Sequence, residues 1–506
     1  MSRPALRSVL RPARLAALPA VCCALLLPLA GCGSADDGKT PSSRGSSPGF
    51  GAPTASRSPA PGAGSKDPDD LNGDGFRDLL LPLNTPGGEP QWEPDDGRLL
   101  VVYGSAHGLD PVTRSVYGRS DLGLPAAHSP TGVQRPEDID ARSVVSGDLD
   151  GDGFPDLAVP VLGQGHVSDG HLSAQPYTLH VVWGSARGPG GSGSRPTPVR
   201  LPSGAATLGL QSVVRGDFDG DGRIDLAGQG PAGTTAWLLY GPFDRRTGAP
   251  ARTGSLPMSG GSLHADEVDP TGKHPHITPL LMRDGDDGEQ AGNTLYAAPA
   301  TGRGRALRKG SAHAFGDFDG DGRRDVAVGD SGSRNDEPGY ETEAPDVDGS
   351  LTVYPGDGGA PVTQRLPDAS RHRQGFSSSL VYVAADPDGD GRDGILVPTH
   401  DAMVLLDRIG DAGGAREVAV ARQGPARAEG KKVRPERRPA RPYGAADFDG
   451  DGRDELILVW GVDAMFGLYG EDPTHWWITD GVSARDRAVF DASRWVKRRA
   501  YASPTS

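Results

Sequence analysis

A nine-residue unit, Asp-x-Asp-Gly-Asp-Gly-x-x-Asp, recurs along this chain and sets oxygen-bearing side chains at alternating places. It reads DLNGDGFRD at 70–78, DLDGDGFPD at 148–156, DFDGDGRID at 217–225 and DFDGDGRRD at 317–325. Two copies change the ninth place: DPDGDGRDG at 386–394 has Gly394 and DFDGDGRDE at 447–455 has Glu455. Side-chain oxygens at positions 1, 3, 5 and 9, with the main-chain carbonyl of position 7, can wrap one hard cation, and glycine at position 6 permits the sharp turn.

The candidate ligands follow directly. They are Asp70, Asn72, Asp74, Phe76 and Asp78, then Asp148, Asp150, Asp152, Phe154 and Asp156. The third and fourth loops offer Asp217, Asp219, Asp221, Arg223 and Asp225, and Asp317, Asp319, Asp321, Arg323 and Asp325. The altered loops offer Asp386, Asp388, Asp390 and Arg392, and Asp447, Asp449, Asp451, Arg453 and Glu455. Phe76, Phe154, Arg223, Arg323, Arg392 and Arg453 act through their carbonyls. Carboxylates this close repel one another unless a cation neutralises them, so the loop implies its ion. Calcium is the expected cofactor, because magnesium wants a stricter octahedron and the loops contain no His or Cys for zinc. An EF-hand is excluded, since it needs a Glu at position 12 and a flanking helix. Position 12 here is Leu81, Val159, Gly228, Val328, Val397 or Leu458, inside a strand-like run.

The elements that position these loops are short strands. Apolar runs follow each unit, such as Leu79-Leu80-Leu81 and Ile395-Leu396-Val397, and a second run follows a variable loop, as in LHVVWGSARG at 179–188 and MVLLD at 403–407. β-branched and aromatic residues bounded by Gly and Pro read as strands. The units begin at 70, 148, 217, 317, 386 and 447, and the interval of 100 between the third and fourth is too long for one repeat. EVDPTGKHPHITP at 267–279 fills it as a degraded seventh copy, aligned through Glu267, Asp269, Gly272 and Pro279. Seven units of about four strands specify an all-β, seven-bladed β-propeller. Later copies follow a strand-like run, whereas the first follows polar sequence, so Arg494–Ala502 is expected to supply the missing innermost strand of the first blade.

Strand, Asp loop, strand and then V-Y-G-S-A-x-G-L (102–109) resembles the FG-GAP repeat of integrin α-chain propellers and bacterial VCBS-type proteins, over residues 69–506. The Phe-Gly half finds only an echo at Gly375-Phe376-Ser377. The resemblance implies calcium in the loop between the first and second strands of a blade. The copy at 267 has lost most ligands, and those at 386 and 447 lack or alter the ninth.

Arg3, Arg7, Arg11 and Arg14 precede an apolar stretch from Leu15 to Gly31, the pattern of an export signal. Leu29-Ala30-Gly31-Cys32 resembles the lipobox of bacterial lipoprotein signals, which implies cleavage after residue 31 and lipidation of Cys32. Cleavage there would remove Cys22, Cys23 and four arginines, changing the net charge from −15 to −19 and leaving Cys32 as the only cysteine. Disulfides cannot then brace the loops, so metal is expected to do so. Residues 32–68 are rich in Gly, Ser, Pro and Ala, and read as a flexible tether before the propeller at 69–506. The acidic balance argues against nucleic acid as a partner.

No catalytic constellation emerges. Arg215-Gly216-Asp217 spells an adhesion tripeptide, but Asp217 is committed to a metal loop. Gly329-Asp330-Ser331-Gly332-Ser333 resembles a protease nucleophile loop yet falls where every repeat ends a strand. The twelve histidines form no metalloprotease motif. The basic run from Arg427 to Arg441 reads as a solvated inter-blade loop.

The expected role is therefore a non-catalytic binding or scaffold module displayed on the outer face of a bacterial cytoplasmic membrane, for a protein or carbohydrate of the cell envelope. The rival is an extracellular hydrolase or lyase with its site on propeller loops; the tether leaves no room for a separate catalytic domain. A sensor partner of a membrane receptor is a third reading. Ligand contact is expected opposite the metal loops, on long connections carrying Trp92, Tyr117, Tyr177, Tyr340, Phe466 and Tyr469.

Overall fold

The computed structural model describes residues 50–495 apart from 86–95, 127–137, 171, 192, 194, 232, 273–274, 285–289, 332–348, 368–381, 400–401, 429–430 and 463–468. The export signal, Cys32, the tether before residue 50, Trp92, Tyr340, residues 375–377 and Phe466 lie outside these residues, as do the side chain of Tyr469 and residues 496–502. Among the described residues, seven antiparallel sheets form the blades of an all-β propeller, and two small two-stranded sheets lie outside them. Six blades have four strands in sequence order, as in blade 2 with Val145–Gly147, Asp156–Leu162, Tyr177–Val182 and Thr197–Pro198. The degraded copy builds a complete blade 4, from Ser262–Ala265, Leu280–Arg283, Asn293–Tyr296 and Arg305–Leu307.

A single sheet has no interior, so each blade buries its faces against its neighbours. The core is accordingly divided into clusters at the blade junctions, such as Ala158, Val181, Leu210, Leu226 and Leu239 between blades 2 and 3. First strands pack on first strands, with Ser212–Gly216 of blade 3 touching both Val145–Gly147 and Ser262–Ala265, so these strands line the ring axis. Position 2 of five of the six Asp loops is an anchor in this scheme; the loop at 386 has the half-buried Pro387 there. Leu71, Leu149, Phe218, Phe318 and Phe448 are all buried, each in the cluster shared with the following blade. Burying such a side chain contributes about 1.5–3 kcal/mol, and it ties the loop to the next blade.

Of the strand expected over Arg494–Ala502, only Arg494 and Trp495 lie among the described residues. Among the described residues, blade 1 has three strands, Leu79–Thr85, Asp96–Val102 and Arg114–Tyr117. Arg494 and Trp495 do not begin a fourth; they end a 3₁₀ turn, Ala492–Trp495, that follows the outer strand of blade 7. The seam is also crossed by residues 50–57, which composition alone had assigned to the flexible tether. Gly51 bridges in parallel to Phe490 at the outer edge of blade 7, and Arg57 bridges to Thr113 beside the outer strand of blade 1. Arg114 donates to the carbonyls of Pro53 and Ala55 at 2.9 Å each, and Trp495 Nε1 donates to Pro53 O at 3.1 Å. Phe50 packs edge-on against His475 and Trp477, with centroids 4.5 and 5.1 Å apart. An extended Pro/Ala/Ser segment needs no core of its own when neighbouring edges satisfy its backbone.

Candidate metal centres

Each loop is held by its first carboxylate. In blade 2, Asp148 Oδ1 accepts the N–H groups of Gly151 and Asp152 at 2.8 and 3.0 Å, and Oδ2 accepts that of Gly153 at 2.9 Å. The same three bonds recur from Asp217, Asp317, Asp386 and Asp447. Gly151 and Gly153 stand at φ +83° and +90°, where an L side chain is strained, which explains the glycines at positions 4 and 6.

The ninth carboxylate staples the loop to its sheet. Asp156 Oδ2 accepts Leu149 N–H at 3.0 Å and Oδ1 accepts Gly184 N–H at 2.7 Å. Asp78 does the same with Leu71 and Gly104, Asp225 with Phe218 and Gly241, and Asp325 with Phe318 and Gly356. This gives the glycine after the third strand a physical role. A Cβ on Gly184 would sit 2.2 Å from Pro155 O, and one on Gly104 would sit 2.2 Å from Arg77 O.

With backbone groups satisfied this way, the remaining oxygens converge. One oxygen from each of Asp148, Asp150 and Asp156 lies within 4.8 Å of the others, as do those of Asp217, Asp219 and Asp225, and of Asp317, Asp319 and Asp325. Asp447, Asp449 and Glu455 form a fourth set, and Asp386, Asp388 and Asp390 a fifth. The longer Glu455 therefore still reaches its cluster. The first loop is the most enclosed, with Asp70, Asn72 and Asp78 buried. Asn72 Nδ2 donates to Ala60 O at 2.7 Å, and this leaves buried Asn72 Oδ1 without a hydrogen-bond partner. An orphaned buried oxygen at the third ligand place fits a cation there.

Electrostatics point the same way. Burial, reinforced by neighbouring carboxylates, pushes Asp156 up to about 8, Asp225 up to about 7 and Asp325 up to about 6. Glu455 is raised to about 7, and Asp78 well above the ordinary carboxylate range. Ionising these groups together is costly without a countercharge. Arginines already provide part of it. Arg245 reaches Asp150 and Asp152, Arg252 reaches Asp219, and Arg416 lies 3.4 Å from Asp388 and 2.6 Å from Asp407. Loop 447 is the extreme case, where Arg487 reaches Asp449, Asp451 and Glu455, the third, fifth and ninth places.

At position 8, Asp393 Oδ2 accepts Asp317 N–H at 2.7 Å and Asp393 N–H donates to Asp317 O at 2.8 Å. Asp454 makes the equivalent pair with Asp386 at 2.8 and 3.0 Å. The loops at 386 and 447 thus clasp the first residue of the preceding one. Sequence reading missed this, because the partner lies one blade away and the residue type varies. In the degraded copy, Thr278 serves Asp217 in the same manner, at 2.9 and 2.8 Å. Glu267 there pairs with Arg77, 3.3 Å away, and Asp269 caps Thr271.

The two decoys are enclosed. Arg215 is bonded to Asp69 and Ser146, and buried Ser331 lies 2.5 Å from Ser311 Oγ. Of the aromatics expected on the opposite face, Tyr117 shares a 3.3 Å hydroxyl contact with Tyr103, and Tyr177 opens the third strand of blade 2.

Comparison with known proteins agrees with this geometry. Residues 141–170, which include the blade 2 loop, match the FG-GAP repeat family model. Phosphatidylinositol-glycan-specific phospholipase D of Mus musculus is 32% identical over 162 residues, covering 32% of this chain and 17% of the enzyme. Its Rattus norvegicus counterpart is 31% identical over 163 residues, with the same coverage. The match thus spans about one sixth of the length of these relatives. Among solved structures, that of BBS1N in complex with ARL6DN aligns with TM-score 0.38 and 10% identity over 79% of this chain and 90% of that one. The biofilm matrix protein Bap1 of V. cholerae aligns with TM-score 0.29 and 12% identity over 81% and 90%. The chain carries an FG-GAP repeat set in a seven-bladed β-propeller with Asp clusters suited to metal.

Proposed function

We propose that this protein is a calcium-stabilised, non-catalytic binding or scaffold module, anchored through Cys32 to the outer face of a bacterial membrane. The observation that carries the reading is the convergence of carboxylate oxygens in five loops at one register of the ring. All-oxygen ligand sets with a carbonyl at position 7 suit calcium. Each filled site would stabilise the fold by RT ln(1 + [Ca]/Kd), about 2.7 kcal/mol at a hundredfold excess over Kd. A rigid ring with variable surface loops is a platform for recognition. The lipobox-like residues 29–32 motivate the anchor.

The test is capture from a cell-envelope extract by the immobilised protein, with calcium and with chelator. Calcium-dependent enrichment of a discrete protein or glycan supports the reading. A protein that captures nothing, or captures equally well when chelated, speaks against it. Fatty-acid labelling that persists in Cys32→Ser would refute the anchor.

A further inference from the structure

On the metal-loop side, between blades 4 and 5, a cavity of about 710 Å³ opens where the degraded copy replaces an Asp loop. Its apolar wall includes Ile277, Leu295, Tyr354 and Pro355. Ile277 is 40% exposed and is one of two large apolar side chains so exposed among the described residues. Arg303, Arg305, Arg323 and Arg324 line it together with Glu267, Asp269, His276 and Asp325.

These arginines break the pattern of the ring. The first residue of the outer strand is Arg252 in blade 3, Arg305 in blade 4 and Arg416 in blade 6. Arg252 and Arg416 turn to the third carboxylate of their own loop. Arg305 instead lies over the ring of Tyr354, 5.4 Å from its centroid. The nearby acids are engaged elsewhere, Glu267 on Arg77, Asp269 on Thr271 and Asp325 in its metal cluster, and the fourth guanidinium, Arg324, is held by Asp266. Among the described residues, Arg303, Arg305 and Arg323 form no ion pair. In a chain of net charge −15, this concave site sets four arginines, Arg303, Arg305, Arg323 and Arg324, against three acids, Glu267, Asp269 and Asp325, and Arg303, Arg305 and Arg323 face the cavity without a carboxylate partner among the described residues.

We propose that this groove binds a carboxylated saccharide. Guanidinium forks match a planar carboxylate bidentately, and the C–H face of a pyranose packs on flat apolar and aromatic surface. Cavities of this volume hold small ligands or a short glycan segment. The edge strand here, Arg305–Leu307, has three residues, too short a template for adding a peptide strand. The inference rests on the module reading and gives that module a ligand class. It also moves the contact from the face opposite the metal loops to the loop side itself.

The test is calorimetric titration at fixed, saturating calcium with three probes: a glucuronate-containing hexasaccharide, its carboxyl-reduced counterpart and a glutamate hexapeptide. The uronate probe should bind at least about tenfold more tightly than either comparison, the equivalent of one charge-assisted hydrogen bond. Arg303→Ala with Arg305→Ala should erase that margin, Ile277→Ser should weaken binding, and neither should move the thermal midpoint. Equal binding of the peptide would overturn the saccharide assignment, and absence of uronate binding would overturn the site. Capture of an envelope partner unaffected by these substitutions would remove this inference while leaving the module reading standing.

Discussion

Replacing Asp156 by Asn separates the two roles of the ninth carboxylate. In the metal-free protein at pH 7, burial holds this carboxyl at about 8, so it is mainly protonated and presents one hydroxyl among the N–H donors of Leu149 and Gly184. Asparagine presents an NH₂ group in the same place, with the same mismatch. Because the unfolded carboxyl ionises in the ordinary range, at about 4, the native chain loses between about pH 4 and 8 a stability that asparagine keeps, so in chelator at pH 7 the variant should be the more stable. With calcium at a hundredfold excess over Kd, the native site contributes about 2.7 kcal/mol that the variant cannot recover. Raising the pH from about 8 to 9 in chelator should widen that difference little further, because by then the carboxyl is ionised in both folded and unfolded chains. Urea unfolding followed by tryptophan fluorescence, at fixed free calcium and in chelator, measures each term. Equal destabilisation in both conditions would show that Asp156 acts only as a hydrogen-bond acceptor and would refute the ligand assignment.

The pH dependence should change sign with metal. The folded-state values of Asp156, Asp225, Asp325 and Glu455 (about 8, 7, 6 and 7) lie above the ordinary carboxylate range, so the metal-free fold holds extra protons, and its stability should fall as pH rises from about 4 to 8. In calcium, protons compete with the ion and stability should rise over the same window; parallel profiles would contradict this. A chain starting at residue 59 should be less stable than one starting at 50, by the loss of the Arg114 and Trp495 bonds to the strap and the Phe50 contacts, and equal urea midpoints would show that the strap does not hold the seam. Phe218→Ala should cost about 3–5 kcal/mol with or without calcium, since Phe218 anchors blade 3 to blade 4; a loss confined to calcium would assign it to the metal site instead. Arg487→Ala should raise the amount of calcium bound per chain by freeing Asp449, Asp451 and Glu455, and an unchanged amount would mean that the guanidinium does not compete.

The metal loops were legible because their chemistry is local: Asp148 to Asp156 both fold and fill the site within nine residues. The count of seven was legible because Glu267, Asp269, Gly272 and Pro279 kept the register after the acids were lost, and blade 4 forms where they predict it. What stayed hidden depends on the neighbouring blade. Nothing in Leu149 announces that it closes the junction with blade 3, and Asp393 looks like one more acid until Asp317 lies against it. The glycine after the third strand was visible as a motif but not as a donor to the ninth carboxylate. The strap was misread because Gly, Pro and Ser composition reports the lack of a core of its own. It does not report the unpaired edges of blades 1 and 7 that residues 50–57 cover.

The central claim is that the Asp loops hold calcium and that calcium holds the ring. Elemental analysis of protein equilibrated in calcium and then dialysed against calcium-free buffer, paired with thermal unfolding in calcium and in chelator, tests it most directly. The account predicts one retained calcium for each of the loops at 70, 148, 217 and 317, and a thermal midpoint many degrees higher in calcium than in chelator. Metal-free protein with the same midpoint in both solutions would contradict it.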